Sequence, residues 1–72
     1  MWYYYSPLGT FTIAPNGAGG YNLWIDTDQL QTYIGPEAAV EAVRLHKTGF
    51  KAWDERADVE APASLSLWIK VK

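Results

Sequence analysis

The fold is decided by residues 1–25, MWYYYSPLGTFTIAPNGAGGYNLWI. This stretch holds seven of the eleven aromatic residues, and the first charged side chain of the sequence is Asp26, directly after it. Trp, Tyr, Phe, Thr and Ile favour strands, while turn residues interrupt the stretch at Ser6-Pro7-Leu8-Gly9 and again at 15–20. The stretch therefore predicts a three-stranded antiparallel meander.

The register of this meander follows from a turn with Pro7 and Leu8 at its centre. Tyr3 then lies opposite Thr12, and carrying the register across the glycine loop places Ile13 opposite Leu23. Because side chains alternate along a strand, the predicted sheet has two unlike faces. The apolar face holds Trp2, Tyr4, Phe11, Ile13, Tyr21, Leu23 and Ile25. The other face holds Tyr3, Tyr5, Thr10, Thr12, Asn22, Trp24 and Asp26.

One helix is predicted over residues 36–47, with Gly35 as its N-cap and Pro36 at its first position. Gly49 is expected to end it in the left-handed conformation, and its alanines allow a close approach to the apolar sheet face. Residues 62–72 fit a turn that docks Leu65 and Trp68, followed by a short extended tail that wraps an edge or the opposite face. The prediction is a single α+β domain spanning residues 1–72.

Size and composition exclude several classes of protein. A chain of 72 residues buries only about 60% of its unfolded surface, so its core must come mainly from the aromatic residues. Without cysteine it has neither disulfides nor thiolate metal sites. A net charge of −2 supplies no basic excess for a phosphate backbone. No apolar run reaches the length of a membrane span, and a cytoplasmic protein is expected.

Four segments together resemble a set of small, uncharacterised bacterial proteins. The segments are Ser6-Pro7-Leu8-Gly9, Gly35-Pro36-Glu37-Ala38-Ala39, Thr48-Gly49-Phe50-Lys51-Ala52-Trp53-Asp54 and Pro62-Ala63-Ser64-Leu65-Ser66-Leu67-Trp68. The resemblance implies a bacterial domain and brings no activity or functional residue with it. This chain departs from the pattern at Gly35, where a serine would cap the helix.

A fainter resemblance is to bacterial modules of the GYF type, which open with Trp-Tyr-Tyr and bind proline-rich peptides. Only Trp2, Tyr3 and Tyr4 match that pattern. The resemblance implies a proline-rich peptide as an alternative ligand.

No residue pattern predicts catalysis, a cofactor or a metal. His46 is the only histidine and falls on the apolar side of the predicted helix, where a structural role is expected. Asp26 and Asp28 have the spacing of calcium ligands, but the remaining ligands of such a loop do not follow, so they are interpreted as turn residues. The glycines of 16–20 lack the helix that a nucleotide-binding loop requires, which indicates a flexible hairpin loop.

Tyr3, Tyr5 and Trp24, on the second sheet face, remain as candidate binding residues. Uncharged aromatic residues suit a peptide groove or a self-association face. Single-stranded nucleic acid is a third possibility, though platforms for it are normally flanked by Lys and Arg. The alternative without a binding role is that the C-terminal segment covers the three side chains. The sequence thus predicts a small non-enzymatic protein-interaction module.

Overall fold

The computed structural model describes residues 1–71 and has the α+β class that the sequence predicts. The elements are β1 (Trp2–Ser6), β2 (Gly9–Pro15), β3 (Tyr21–Ile25), β4 (Asp28–Tyr33), α1 (Pro36–Arg44), α2 (Lys51–Asp54), a 3-10 turn (Leu65–Leu67) and β5 (Ile69–Lys70). The sheet is antiparallel with the order β4-β3-β2-β1-β5. The prediction of three strands was therefore wrong in number, because a strand joins each edge of the meander.

The register of the meander is confirmed. Tyr3 pairs with Thr12, and Thr12 pairs in turn with Trp24. The hydroxyl of Ser6 donates to the carbonyl of Gly9 at 2.6 Å, closing the turn around Pro7 and Leu8 that sets this register. Gly9 has φ +135°, a conformation that a side chain would strain.

The two additional strands differ in how they are held. β4 pairs with β3 through a bulge, since Leu23 lies opposite Gln31 and Trp24 opposite Gln29. Leu30 is left unpaired between these two partners and packs against the core. β5 is only two residues long and pairs with the other edge, so that Ile69 lies opposite Tyr3.

The hydrophobic core lies between one sheet face, which we call the inner face, and the helical segments. α1 contacts β2, β3 and β4 across it. The members of the core, all nearly inaccessible to solvent, are Phe11, Ile13, Leu23, Ile25, Ala39, Val40, Val43, Trp53 and Trp68. The predicted apolar face is thus the inner face, and Trp2, Tyr4 and Tyr21 pack around its buried residues.

The helix ends earlier than predicted, at Arg44 rather than residue 47. His46 has φ +58°, its N–H donates to Val43 O at 3.2 Å, and the N–H of Lys47 donates to Ala42 O at 2.9 Å. This is a Schellman motif with histidine in the left-handed position usually taken by glycine. Gly49 does have positive φ, +87°, but it lies in the next loop and not at the helix end.

The 3-10 turn of the C-terminal segment docks on the inner face, whereas the sequence placed this segment at an edge of the sheet or on the opposite face. The 3-10 turn buries Trp68, which is 4% exposed and lies 5.5 Å from Tyr4 between ring centroids. β5 then extends the sheet at the β1 edge. None of the helices formed by residues 1–71 is long and apolar enough to cross a membrane.

Candidate functional site

The second sheet face, which we call the outer face, carries the three candidate binding residues. Strand pairing places Tyr3, Thr12 and Trp24 side by side on β1, β2 and β3. The same row continues to Gln29 on β4 and to Ile69 on β5. Pairing and alternation assign ten residues to the outer face: Tyr3, Tyr5, Thr10, Thr12, Ala14, Asn22, Trp24, Gln29, Thr32 and Ile69.

No helical segment of the described chain packs on the outer face. α1 lies over the inner face, and Trp53 of α2 and Trp68 after the 3-10 turn are both part of the inner core. The expectation that the C-terminal segment covers the outer aromatic residues is therefore wrong for residues 1–71. Tyr5 is 66% exposed and Ile69 is 51% exposed, whereas Tyr3 and Trp24 are partly shielded by their neighbours in the sheet.

Polar side chains on and beside the outer face hold one another in place. Asn22 Oδ1 accepts hydrogen bonds from Thr32 Oγ1 at 2.9 Å and from Asn16 Nδ2 at 3.4 Å. Asn16 Oδ1 also accepts from the backbone N–H groups of Ala18 and Gly20, which organises the glycine loop. At the opposite edge the hydroxyl of Tyr3 donates to Met1 Sδ at 2.9 Å. The outer face is consequently built from side chains with defined positions.

The outer face carries no charged side chain among its ten residues. Asp26, which the sequence placed on this face, lies instead in the turn after β3 with φ +49°. Its carboxylate accepts from the N–H of Thr10 at 3.0 Å, and its own N–H donates to the Thr10 carbonyl at 2.8 Å. Asp26 was the only charged residue on the predicted face, and in the structure it closes the turn after β3.

His46, the only histidine of the sequence, is held by Trp53. The imidazole stacks on the indole with ring centroids 4.7 Å apart and an angle of 16°, and His46 Nδ1 lies 3.0 Å from Trp53 O. The indole Nε1 of Trp53 donates to Val43 O at 2.9 Å. These contacts connect the end of α1 to α2, so the geometry of His46 has a structural explanation.

The segment Thr48-Gly49-Phe50-Lys51-Ala52-Trp53-Asp54 is organised by its own hydrogen bonds. Asp54 accepts from the N–H and the hydroxyl of Thr48 at 3.0 and 2.8 Å, and from the N–H of Gly49 at 2.9 Å. The hydroxyl of Thr48, a fully buried residue, accepts from the N–H of Phe50 at 3.1 Å. The hydrogen bonds between Thr48 and Asp54 thus close this segment into a loop.

An open groove of about 460 Å³ lies between the end of α1 and the 57–63 segment. Arg44, His46, Val59 and Glu60 are among its lining residues. The guanidinium of Arg44 pairs with Glu41, and His46 contacts Trp53. Residues 1–71 contain no group of three or more His, Asp or Glu side chains that could hold a metal ion.

Sequence reasoning brought Tyr3, Tyr5 and Trp24 to one face, and the structure places them there. It missed Gln29, Thr32 and Ile69, which join the face through β4 and β5. The alternation of residues 65–71 contained a signal for β5, whereas the bulge in β4 obscured the alternation there. Comparisons of the chain with known protein families, curated proteins and solved structures found no match.

Proposed function

We propose that this chain is a small non-enzymatic module that binds another protein through its outer face. The observation that carries the proposal is the row Tyr3, Thr12 and Trp24, which Gln29 and Ile69 continue across all five strands. No helical segment of residues 1–71 covers this row. Exposed Tyr and Trp with few charges are typical of the central part of protein interfaces.

The composition of the outer face favours a protein over a nucleic acid. Binding of single strands relies on Lys and Arg beside the stacking residues, and the ten residues of the outer face include neither. Hydroxyl and amide groups on Thr, Asn and Gln can instead satisfy polar groups of a protein surface. Binding to single-stranded nucleic acid remains the alternative that this composition supports least.

A proline-rich peptide is a second candidate ligand. Uncovered aromatic side chains without charge suit an extended polyproline II segment, which docks on such surfaces with little loss of conformational entropy. The resemblance of Trp2, Tyr3 and Tyr4 to the opening of GYF-type modules supports this alternative. The proposed setting is the bacterial cytoplasm, which the resemblance to small bacterial proteins supports.

The test is selection of a displayed library of random peptides on the immobilised protein, with a proline-rich set included. Selected peptides are then titrated into ¹⁵N-labelled protein, and we expect shifted amide signals at Tyr3, Thr12 and Trp24. Tyr5→Ala should weaken binding, whereas Leu45→Ala, an exposed apolar residue after α1 on the other side of the sheet, should not.

Two results would count against the proposal. One is that no peptide, protein or second copy of the chain binds the outer face. The other is that shifted signals cluster around the groove beside His46, which would make the groove the binding site. Enrichment of proline-rich peptides alone would favour the second candidate, and salt-dependent binding of an oligothymidylate probe to the outer face would favour nucleic acid.

A further inference from the structure

We infer that the partner of the outer face is a second copy of this chain, docked face to face around a two-fold axis. The inference rests on the proposed function, since it names the protein that the outer face binds. Two-fold dimers are the commonest assemblies of identical chains, and each uses the same patch on both subunits.

The lack of charge on the outer face favours contact with a second copy. In a two-fold contact a side chain close to the axis meets the same residue of the other copy, so a charged residue there would face a like charge. The outer face has no charged residue among its ten members, although eight acidic and six basic residues occur in the sequence. An uncharged face avoids self-repulsion in a chain whose net charge is −2.

The polar groups of the outer face are self-complementary in hydrogen bonding. The polar residues of the outer face carry hydroxyl or amide groups, which both donate and accept hydrogen bonds. Each can therefore pair with the same residue type in a second copy, as a carboxylate or an ammonium group cannot. Thr12 lies on β2, the middle strand of five, between Tyr3 and Trp24. An axis through Thr12 places Trp24 of one copy against Tyr3 or Trp24 of the other.

The area of the outer face determines how strongly two copies can associate. Five strands at a spacing of about 4.8 Å are about 24 Å wide, and five residues of a strand extend about 16 Å. If both faces are treated as flat, their contact buries about 800 Å² in total, and the uneven surface of the side chains increases this area. This total lies below the value of about 1,200 Å² at which stable specific interfaces begin and falls among weak, transient contacts. The expected product is a dimer that dissociates on dilution.

Sedimentation velocity over a wide concentration range tests the inference. We expect the wild-type chain to shift from monomer to dimer as its concentration rises. Trp24→Lys and Tyr5→Lys place a charge on each copy of the face, so both should remain monomeric at concentrations where the wild type is a dimer. Leu45→Lys is the matched control, because Leu45 is 46% exposed on the helical side, and it should dimerise as the wild type does.

A folding readout accompanies each variant, namely the near-ultraviolet circular dichroism of the buried indoles. If Trp24→Lys unfolds, Tyr5→Lys and Ile69→Lys decide the question, since both replace exposed side chains. A wild-type monomer at every concentration would overturn the inference. A dimer that persists in folded Tyr5→Lys and Ile69→Lys would also overturn it, because the contact would then lie elsewhere.

Failure of this inference is distinguishable from failure of the proposed function. A monomer whose outer face binds selected peptides would reject the second copy as partner and leave the interaction module standing. A monomer whose outer face binds no probe would reject both proposals.

Discussion

The carboxylate of Asp54 accepts hydrogen bonds from three donors in the loop that precedes α2, two of them on Thr48. The backbone N–H and hydroxyl of Thr48 lie 3.0 and 2.8 Å from Asp54 Oδ1, and the N–H of Gly49 lies 2.9 Å from Oδ2. Thr48 is fully buried, so its polar groups require partners inside the protein. The position of Trp53, which fills the core beside Asp54, depends on this closed loop.

Replacing Asp54 should therefore destabilise the fold. Asp54→Ala leaves buried donors of Thr48 without an acceptor, and we expect the free energy of unfolding to fall by about 2 to 3 kcal/mol in urea titrations. Asp54→Asn should cost less, because it retains one acceptor oxygen. Glu55→Ala is the matched control: Glu55 is exposed and, within residues 1–71, forms an ion pair only with Lys51, at 3.9 Å. Its loss should change stability by less than about 0.5 kcal/mol. Equal effects of Asp54→Ala and Glu55→Ala would contradict this role.

His46 combines an unfavourable backbone conformation with favourable side-chain contacts. His46→Ala removes the stacking on Trp53 and the contact of Nδ1 with its carbonyl, and should lower the free energy of unfolding by about 1 to 3 kcal/mol. His46→Gly loses the same contacts but suits φ +58°, so it should cost about 1 kcal/mol less than His46→Ala. We expect the midpoint of thermal unfolding to be highest for the wild type, lower for His46→Gly and lowest for His46→Ala. An unchanged midpoint for His46→Ala would mean that the ring contributes nothing to stability.

The sequence predicted the parts of the fold that local chemistry determines. The register of β1 to β3 followed from the Pro7-Leu8 turn and from strict alternation, and Gly35 before Pro36 marked the start of α1. The position of Tyr3 beside Thr12 and Trp24 followed from the same register. These features depend on neighbours in sequence or on one hairpin at a time, which makes them accessible to pattern analysis.

The features of the fold that the sequence did not predict depend on contacts between residues far apart in the chain. The alternation from Leu65 on fitted either a strand or a docked turn, and β5 forms where Ile69 and Lys70 reach the free edge of β1. The bulge at Leu30 disrupts alternation in β4. The helix ends at Arg44 because the Trp53 ring supports His46 in the left-handed conformation two residues later, whereas the prediction assigned that conformation to Gly49. The residues of the candidate site on the central three strands were therefore predicted from the sequence, and those on the two edge strands were not.

Gly35 is a helix cap that the chain leaves without a side-chain acceptor. It has φ −138° and ψ 161°, which any residue can adopt, and a Cβ there would lie 3.4 Å from Glu37 Oε1. Gly35→Ser supplies an oxygen to accept from the N–H of Ala38, so we expect a gain of a few tenths of a kcal/mol in urea titrations.

The matched control for this substitution is Gly9→Ser. A Cβ at Gly9 would lie 2.6 Å from Asp26 Oδ2, and the backbone has φ +135°. The same change should therefore destabilise the protein there, by more than about 1 kcal/mol. A loss of similar size at Gly35 would show that the helix begins elsewhere.

Tyr33 should make stability depend on pH in alkaline solution. Burial, and secondarily the negative charge of Asp54, raise the pKa of Tyr33 above its ordinary value of 10.0, and its hydroxyl has no hydrogen-bond partner within residues 1–71. Below the ordinary pKa both the folded and unfolded chains hold the proton, so the group does not affect stability there. Above it the unfolded chain releases the proton first, and stability falls until pH passes the raised pKa of the folded state.

The variant Tyr33→Phe isolates this effect. At neutral pH its free energy of unfolding should lie within about 1 kcal/mol of the wild-type value, because the lost hydroxyl makes no hydrogen bond to the described chain. In urea titrations from about pH 9 to about pH 11, its midpoint should decline less steeply than that of the wild type. Burial also raises the pKa of Tyr4, so the Tyr4→Phe/Tyr33→Phe double variant should decline less steeply still. An identical alkaline slope in all three proteins would show that the Tyr33 hydroxyl is solvated in the folded state.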